Sequence, residues 1–144
     1  MTPGAFCRTL SASGGTVRGF RRPVMMRTVL RSKLHHAVVT EANLHYEGSI
    51  TVDADLMAAA DIAPYEQVLV ASVTNGTRFQ TYAIPGAAGS GVIGLNGGAA
   101  RLGKPGDTLI VMAFGLVPED EVRNIQPRIV LLDANNRIRL RPDA

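Results

Sequence analysis

The sequence predicts an all-β fold, a barrel or a sandwich, in one domain. Three observations carry this. Runs of β-branched and apolar residues are short and recur along the whole chain. Turn formers separate them, with 15 Gly and 8 Pro spread from end to end. A length of 144 residues with 46% hydrophobic content suits one core rather than two.

The elements follow in order. Residues 26–40, MRTVLRSKLHHAVVT, contain one or two strands. SITVD at 49–53 alternates and reads as another. ADLMAAADI at 54–62 is Ala-rich and suits a short helix capped by Asp53 and ended by Pro64. Two β-rich runs, 66–74 and 77–84, flank Asn75-Gly76, a pair that favours positive φ at both positions and a two-residue hairpin turn. Residues 90–95 and 107–114 form further strands. PEDEV at 118–122 suits the first turn of a short helix, with its acids at the positive end. PRIVLLDANNRIRL closes the chain as a second hairpin around Asn135-Asn136. Seven or eight strands and two short helices result, without an internal repeat.

Charge excludes one class of function. The net charge is +3 with a pI of about 9.5, which invites a nucleic-acid reading. Residues 1–24, however, hold Arg8, Arg18, Arg21 and Arg22 and no acid. With those four set aside, 11 Lys and Arg face 12 Asp and Glu. The folded part is near neutral, and aromatics are only 5%. Residues 1–24 are faintly like an organelle transit peptide in composition, but read rather as a disordered leader without a role in function, or as the product of a start placed before Met25-Met26. No apolar run approaches the ~20 residues of a membrane span, and no membrane partner is expected. The single cysteine, Cys7, permits no intramolecular disulfide, which suits a reducing, cytoplasmic setting.

Three motifs fail on context. Gly89-Ser90-Gly91-Val92-Ile93-Gly94 matches a dinucleotide fingerprint, but LNGGAARLG after it is poor helix. Residues 98–104, GAARLGK, approach a phosphate loop, but Pro105 stands where Ser or Thr must hold magnesium. His35, His36 and His45 lack metal-ligand spacing, so no metal is expected.

One set of motifs holds. The run RSKLHHAVVTEANLHYEGSITVDADLM is followed by VTNGTRFQTYAI and then by GVIGLNGGAARLGKPGD. Together KLH, HYEGS, VTNG-x-R, TYAI, LNG and the following GD strongly resemble the pyruvoyl-dependent aspartate 1-decarboxylase family, collinearly over about 26–140. The resemblance implies a double-psi β-barrel, a homotetramer with sites at subunit contacts, and self-cleavage between Gly48 and Ser49. The pieces would be 25–48 and 49–144. It further implies decarboxylation of L-aspartate to β-alanine for pantothenate and coenzyme A synthesis. The cofactor would be a pyruvoyl group made from Ser49, without pyridoxal phosphate, and a maturation factor is compatible with the pattern.

The residue types suit that chemistry. A hydroxyl at Ser49 beside a strained carbonyl at Gly48 permits an amide-to-ester shift, and glycine permits backbone angles that other residues resist. β-Elimination and loss of ammonia then leave the pyruvoyl ketone, which takes the substrate amine as a Schiff base. By the resemblance, Thr81 and Asn96 assist the cleavage, Tyr82 returns a proton to carbon, and Tyr46 stands beside the cut as a supporting or competing donor. Lys33 and Arg78 hold the substrate carboxylates, Arg78 with a planar fork. Thr81, Gly97, Gly98 and Ala99 line the substrate. The sequence departs from the family pattern at Ala71, Ser72 and Gly98, and Gly98 in place of Ala is expected to loosen the substrate loop. A different class of function, an unprocessed β-barrel interaction module, would keep the fold without the cut. The presence of Ser49, Lys33, Arg78 and Tyr82 together argues against it.

Overall fold

The structure is a computed structural model that describes Gly19 and residues 21–139. The expectation of a disordered leader falls almost wholly outside the described residues.

Nine strands are present among the described residues: β1 (Met26–Val38), β2 (Glu41–Asn43), β3 (Ser49–Asp53), β4 (Gln67–Ser72), β5 (Arg78–Gly86), β6 (Ile93–Asn96), β7 (Thr108–Pro118), β8 (Arg128–Leu132) and β9 (Ile138–Arg139). Helix α1 spans Ala54–Ala60, and short 3₁₀ turns span Gly97–Arg101 and Val122–Asn124. Their order in the sheet is β2-β6-β3-β5-β4-β7-β1-β8-β9.

That order closes into a barrel. β1 and β2 are one chain segment broken only at Val39 and Thr40, yet they lie at opposite ends of the run from β2 to β1. The break is itself paired: Val39 N–H donates to Asp107 O at 2.8 Å, and Thr40 N–H donates to Ile93 O at 2.8 Å. A closed wall leaves no bare edge between β1 and β6. Alternation fills the interior with one residue in two, including Leu34, Ile50, Val52, Val70, Ala83, Ile93, Leu95 and Val111, all fully buried.

Two strand pairs each enclose a third strand. β2 runs parallel to β6 and β3 runs antiparallel to it, so the 44–48 connection must cross the end of β6. In the same way β7 is antiparallel and β8 parallel to β1, which lies between them. These two ψ-shaped loops make the barrel double-psi, as the resemblance implied.

Several local readings are corrected. The Asn75-Gly76 turn is longer than two residues, and of the pair only Gly76 has positive φ, at 76°. Side chains set the loop instead: Asn75 Oδ1 accepts from Thr77 N–H, and Ser72 Oγ accepts from Asn75 N–H. α1 is capped by Asp53 but ends before Pro64, because Asp61 turns left-handed at φ 54°. The acids at 119–121 precede a 3₁₀ turn, and Glu119 pairs with Arg27. β2 was not foreseen, since EAN has no strand signature and its residues are exposed. No helix among the described residues is long and apolar enough to cross a membrane.

Candidate active site

Ser49 opens β3, and its side chain is 1% exposed. Its register partner is Asn96, the last residue of β6, and Asn43 of β2 stands on the other side of Asn96. Ile50 and Val52 point into the barrel, so Ser49 and Thr51 face outward with Asn96. Asn96 Nδ2 donates to Ser49 Oγ at 2.8 Å and to Thr51 Oγ1 at 2.8 Å. Both of its amide protons are thereby used, and the serine oxygen is held in one place. Thr51 escaped the sequence reading, although its position two residues from Ser49 already puts it on the same face.

Segment 44–48 leaves the sheet after Asn43, crosses the end of β6 and re-enters at Ser49. Gly97 sits beneath this arch with φ 59°. A β-carbon there would stand 2.9 Å from Gly48 Cα, 2.9 Å from Tyr46 O and 3.0 Å from Gly48 N. Only glycine fits both the left-handed backbone and the space. Gly48 itself is not left-handed, and the space where its β-carbon would stand is open. The glycine requirement has moved across the contact to Gly97.

β5 forms the other flank. It runs parallel to β3 with Ile50 opposite Ala83. Extending that register backward puts Tyr82 level with Ser49 and Thr81 level with Gly48. Tyr82 faces outward, as Ser49 does, and is 38% exposed. Thr81 falls on the inner row with Ala83. Tyr46 is half exposed in the arch, and Gly98 and Ala99 follow Gly97 in the 3₁₀ turn. No atom lies within 4 Å of where a β-carbon on Gly98 would stand, so the alanine usual in the family pattern would fit there.

The two cations lie elsewhere. Arg78 begins β5, four residues before Tyr82, at roughly 13 Å along the strand. Lys33 is on β1, three strands from β3 in one direction around the wall and, across the closure, on the far side of β6 in the other. Among the described residues neither forms an ion pair. Beside Lys33, His35 is held below the usual histidine range by burial first, then by the charges of His36 and Lys33. One chain therefore brings Gly48, Ser49, Thr81, Tyr82, Asn96 and Gly97 to one level of neighbouring strands, with Arg78 further along β5 and Lys33 on β1.

The far end of β3 is anchored. Asp53 is 2% exposed; burial alone would raise its pKa, but N–H donors from Gly91, Asp55, Gly89 and Leu56 outweigh burial and hold it below the usual range. Asn136, 2% exposed with φ 57°, accepts from Val38 N–H at 2.7 Å and donates to Val38 O and Gly91 O at 2.8 Å each. These two side chains tie β1, β3 and the 89–91 loop together, which sets the position of β3 against β6.

Comparison with known proteins adds to the geometry. The family model described as aspartate decarboxylase matches residues 25–139. The aspartate 1-decarboxylase of Moorella thermoacetica is 58% identical over 114 residues, covering 79% of this chain and 89% of that protein. The aspartate 1-decarboxylase of Syntrophobacter fumaroxidans is 58% identical over 113 residues, covering 78% of this chain and 91% of that protein.

Proposed function

The chain belongs to the aspartate decarboxylase family, and from that premise we propose that it cuts itself between Gly48 and Ser49 and decarboxylates L-aspartate to β-alanine. The observation that carries the reading is the buried Ser49 hydroxyl, gripped by Asn96 beneath an arch that contains the bond to be cut.

Cleavage uses the chain's own atoms. Ser49 Oγ attacks the Gly48 carbonyl, the peptide nitrogen leaves, and an ester links the two residues. Elimination across Cα–Cβ of residue 49 breaks that ester. Gly48 ends as a carboxylate and residue 49 becomes dehydroalanine, which takes up water and releases ammonia. The Asn96 bond keeps the nucleophile from rotating away. Thr81, level with Gly48 when the β3–β5 register is extended, offers a hydroxyl for the oxygen that becomes negative.

The residues fit the pyruvoyl group. The oxygen that Asn96 Nδ2 holds leaves with Gly48, and the ketone oxygen enters from water at Cα of residue 49, two bonds from that position, which leaves the freed amide as a donor beside it. When present, that group supplies the electron sink for loss of CO2. Tyr82, on the same outward face, holds the phenolic proton that carbon must regain. Gly97, Gly98 and Ala99 offer backbone close to the substrate.

Lys33 and Arg78 grip the two carboxylates, and a second copy of the chain supplies what one copy lacks. What supports an assembly of copies, a tetramer by resemblance, is that Tyr82 stands on the outer face of the wall and Arg78 roughly 13 Å along β5 from it. β-Alanine formed here feeds pantothenate and coenzyme A synthesis in the cytoplasm.

The test is intact mass under denaturing conditions, followed by incubation with L-aspartate. Two fragments parted after Gly48, the larger lighter by one ammonia than a serine-led chain, together with β-alanine formation, support the reading. An uncut chain that stays inert toward aspartate after prolonged incubation refutes it.

A further inference from the structure

We propose that Tyr65, which lies outside the cleavage site, is a positioning residue for Tyr82 and governs how fast the proton returns to carbon; the inference rests on the decarboxylase reading above. Among the described residues, four that are not glycine have left-handed backbone: His36, Asp61, Tyr65 and Asn136. Asp61 caps α1, and Asn136 spends its side chain on three hydrogen bonds. Asp and Asn also tolerate this conformation. Tyr65 has neither excuse at φ 64°, where glycine would sit without strain. Burial does not compensate, because Tyr65 is 75% exposed. A strained, solvent-facing aromatic is a functional signal that needs a partner.

The partner is Tyr82. The two rings lie 6.4 Å apart, centre to centre, at 35°, within the range where aromatic pairs attract. The loop that presents Tyr65 is fastened beside Tyr82 itself. Tyr65 N–H donates to Ala83 O at 2.8 Å, and Ala83 N–H donates to Glu66 O at 3.0 Å. Arg31 of β1 reaches across to Glu66 and, at 2.6 Å, to Asp61 O. The backbone that carries ring 65 is thus fastened next to Tyr82, while ring 82 stands on an open strand face. A neighbour held in place limits the directions that the phenol samples. Proton return requires one direction, so the contact acts on turnover more than on substrate affinity.

The test compares the full-length wild type with Tyr65→Gly and Tyr65→Phe after mass analysis shows complete processing, with kcat and KM for L-aspartate and the melting temperature. Tyr65→Gly removes the ring and the strain together. Its Tm is expected to hold or rise by a few degrees, its KM to stay within about twofold, and its kcat to fall roughly three- to tenfold. Tyr65→Phe, which keeps the ring, restores kcat. A Tyr65→Gly enzyme with wild-type kcat overturns the role, as does a loss seen only in KM, a loss that tracks unfolded or uncut protein, or a Tyr65→Phe variant as slow as Tyr65→Gly. A wild type without decarboxylase activity overturns the underlying reading instead.

Discussion

Gly97→Ala tests whether the arch over β6 governs the cut. The new β-carbon would stand 2.9 Å from both Gly48 Cα and Tyr46 O. Carbon atoms settle at about 3.5–4.0 Å, so the arch must lift by about 0.6–1 Å. Left-handed backbone at a residue other than glycine costs on the order of 1–2 kcal/mol, and the overpacking about 1–3 kcal/mol more. A loss of about 2–5 kcal/mol corresponds to a Tm lower by roughly 10 °C. A displacement of about 1 Å at a reacting bond slows attack on the order of 100-fold. Mass spectrometry of denatured aliquots over time gives the cutting rate, and scanning calorimetry gives Tm. Gly98→Ala is the stability control: no atom lies within 4 Å of its β-carbon and its φ is ordinary, so Tm holds or rises by about 0.4–1 kcal/mol equivalent. Gly97→Ala protein that cuts at the wild-type rate with wild-type Tm refutes the reasoning.

Further outcomes follow from the same geometry. Asn96→Ala frees the Ser49 and Thr51 hydroxyls, which destabilises by about 1–3 kcal/mol and slows cutting at least about tenfold; a wild-type rate by intact mass would remove Asn96 from the cleavage step. Asp53 has a folded-state pKa below its unfolded one, so its stabilisation is full above about pH 5 and lost as pH falls through the folded value. Urea titrations between about pH 5 and 2 should show a steeper loss for wild type than for Asp53→Asn, and equal slopes would contradict the assignment. Asn136→Gly keeps the left-handed backbone but strands Val38 N–H, Val38 O and Gly91 O. It should lower stability by about 2–4 kcal/mol, and native mass spectrometry of cut protein should show residues up to Gly48 released more readily than in wild type.

Much was legible in the sequence. Alternation in SITVD put Ile50 and Val52 inside and Ser49 outside, because a strand has period two. Asp53 announced the helix start, because a carboxylate before an Ala-rich run satisfies free N–H groups. HYEGS, TYAI and LNG supplied the candidate site residues, and the family match agrees with the family they pointed to. What those motifs lacked was position relative to one another. That Asn96 lies beside Ser49, and that Gly97 rather than Gly48 needs glycine, follows from β6 threading between β2 and β3, a long-range pairing with no local signature. Which strands carry Lys33 and Arg78 past Ser49 follows from strand order around the barrel, which sequence spacing does not encode. Tyr65 and Tyr82 stand 17 positions apart and meet only because two backbone bonds fold the loop onto β5. Local chemistry is written in neighbouring residues; the meeting of distant ones is decided by the sheet.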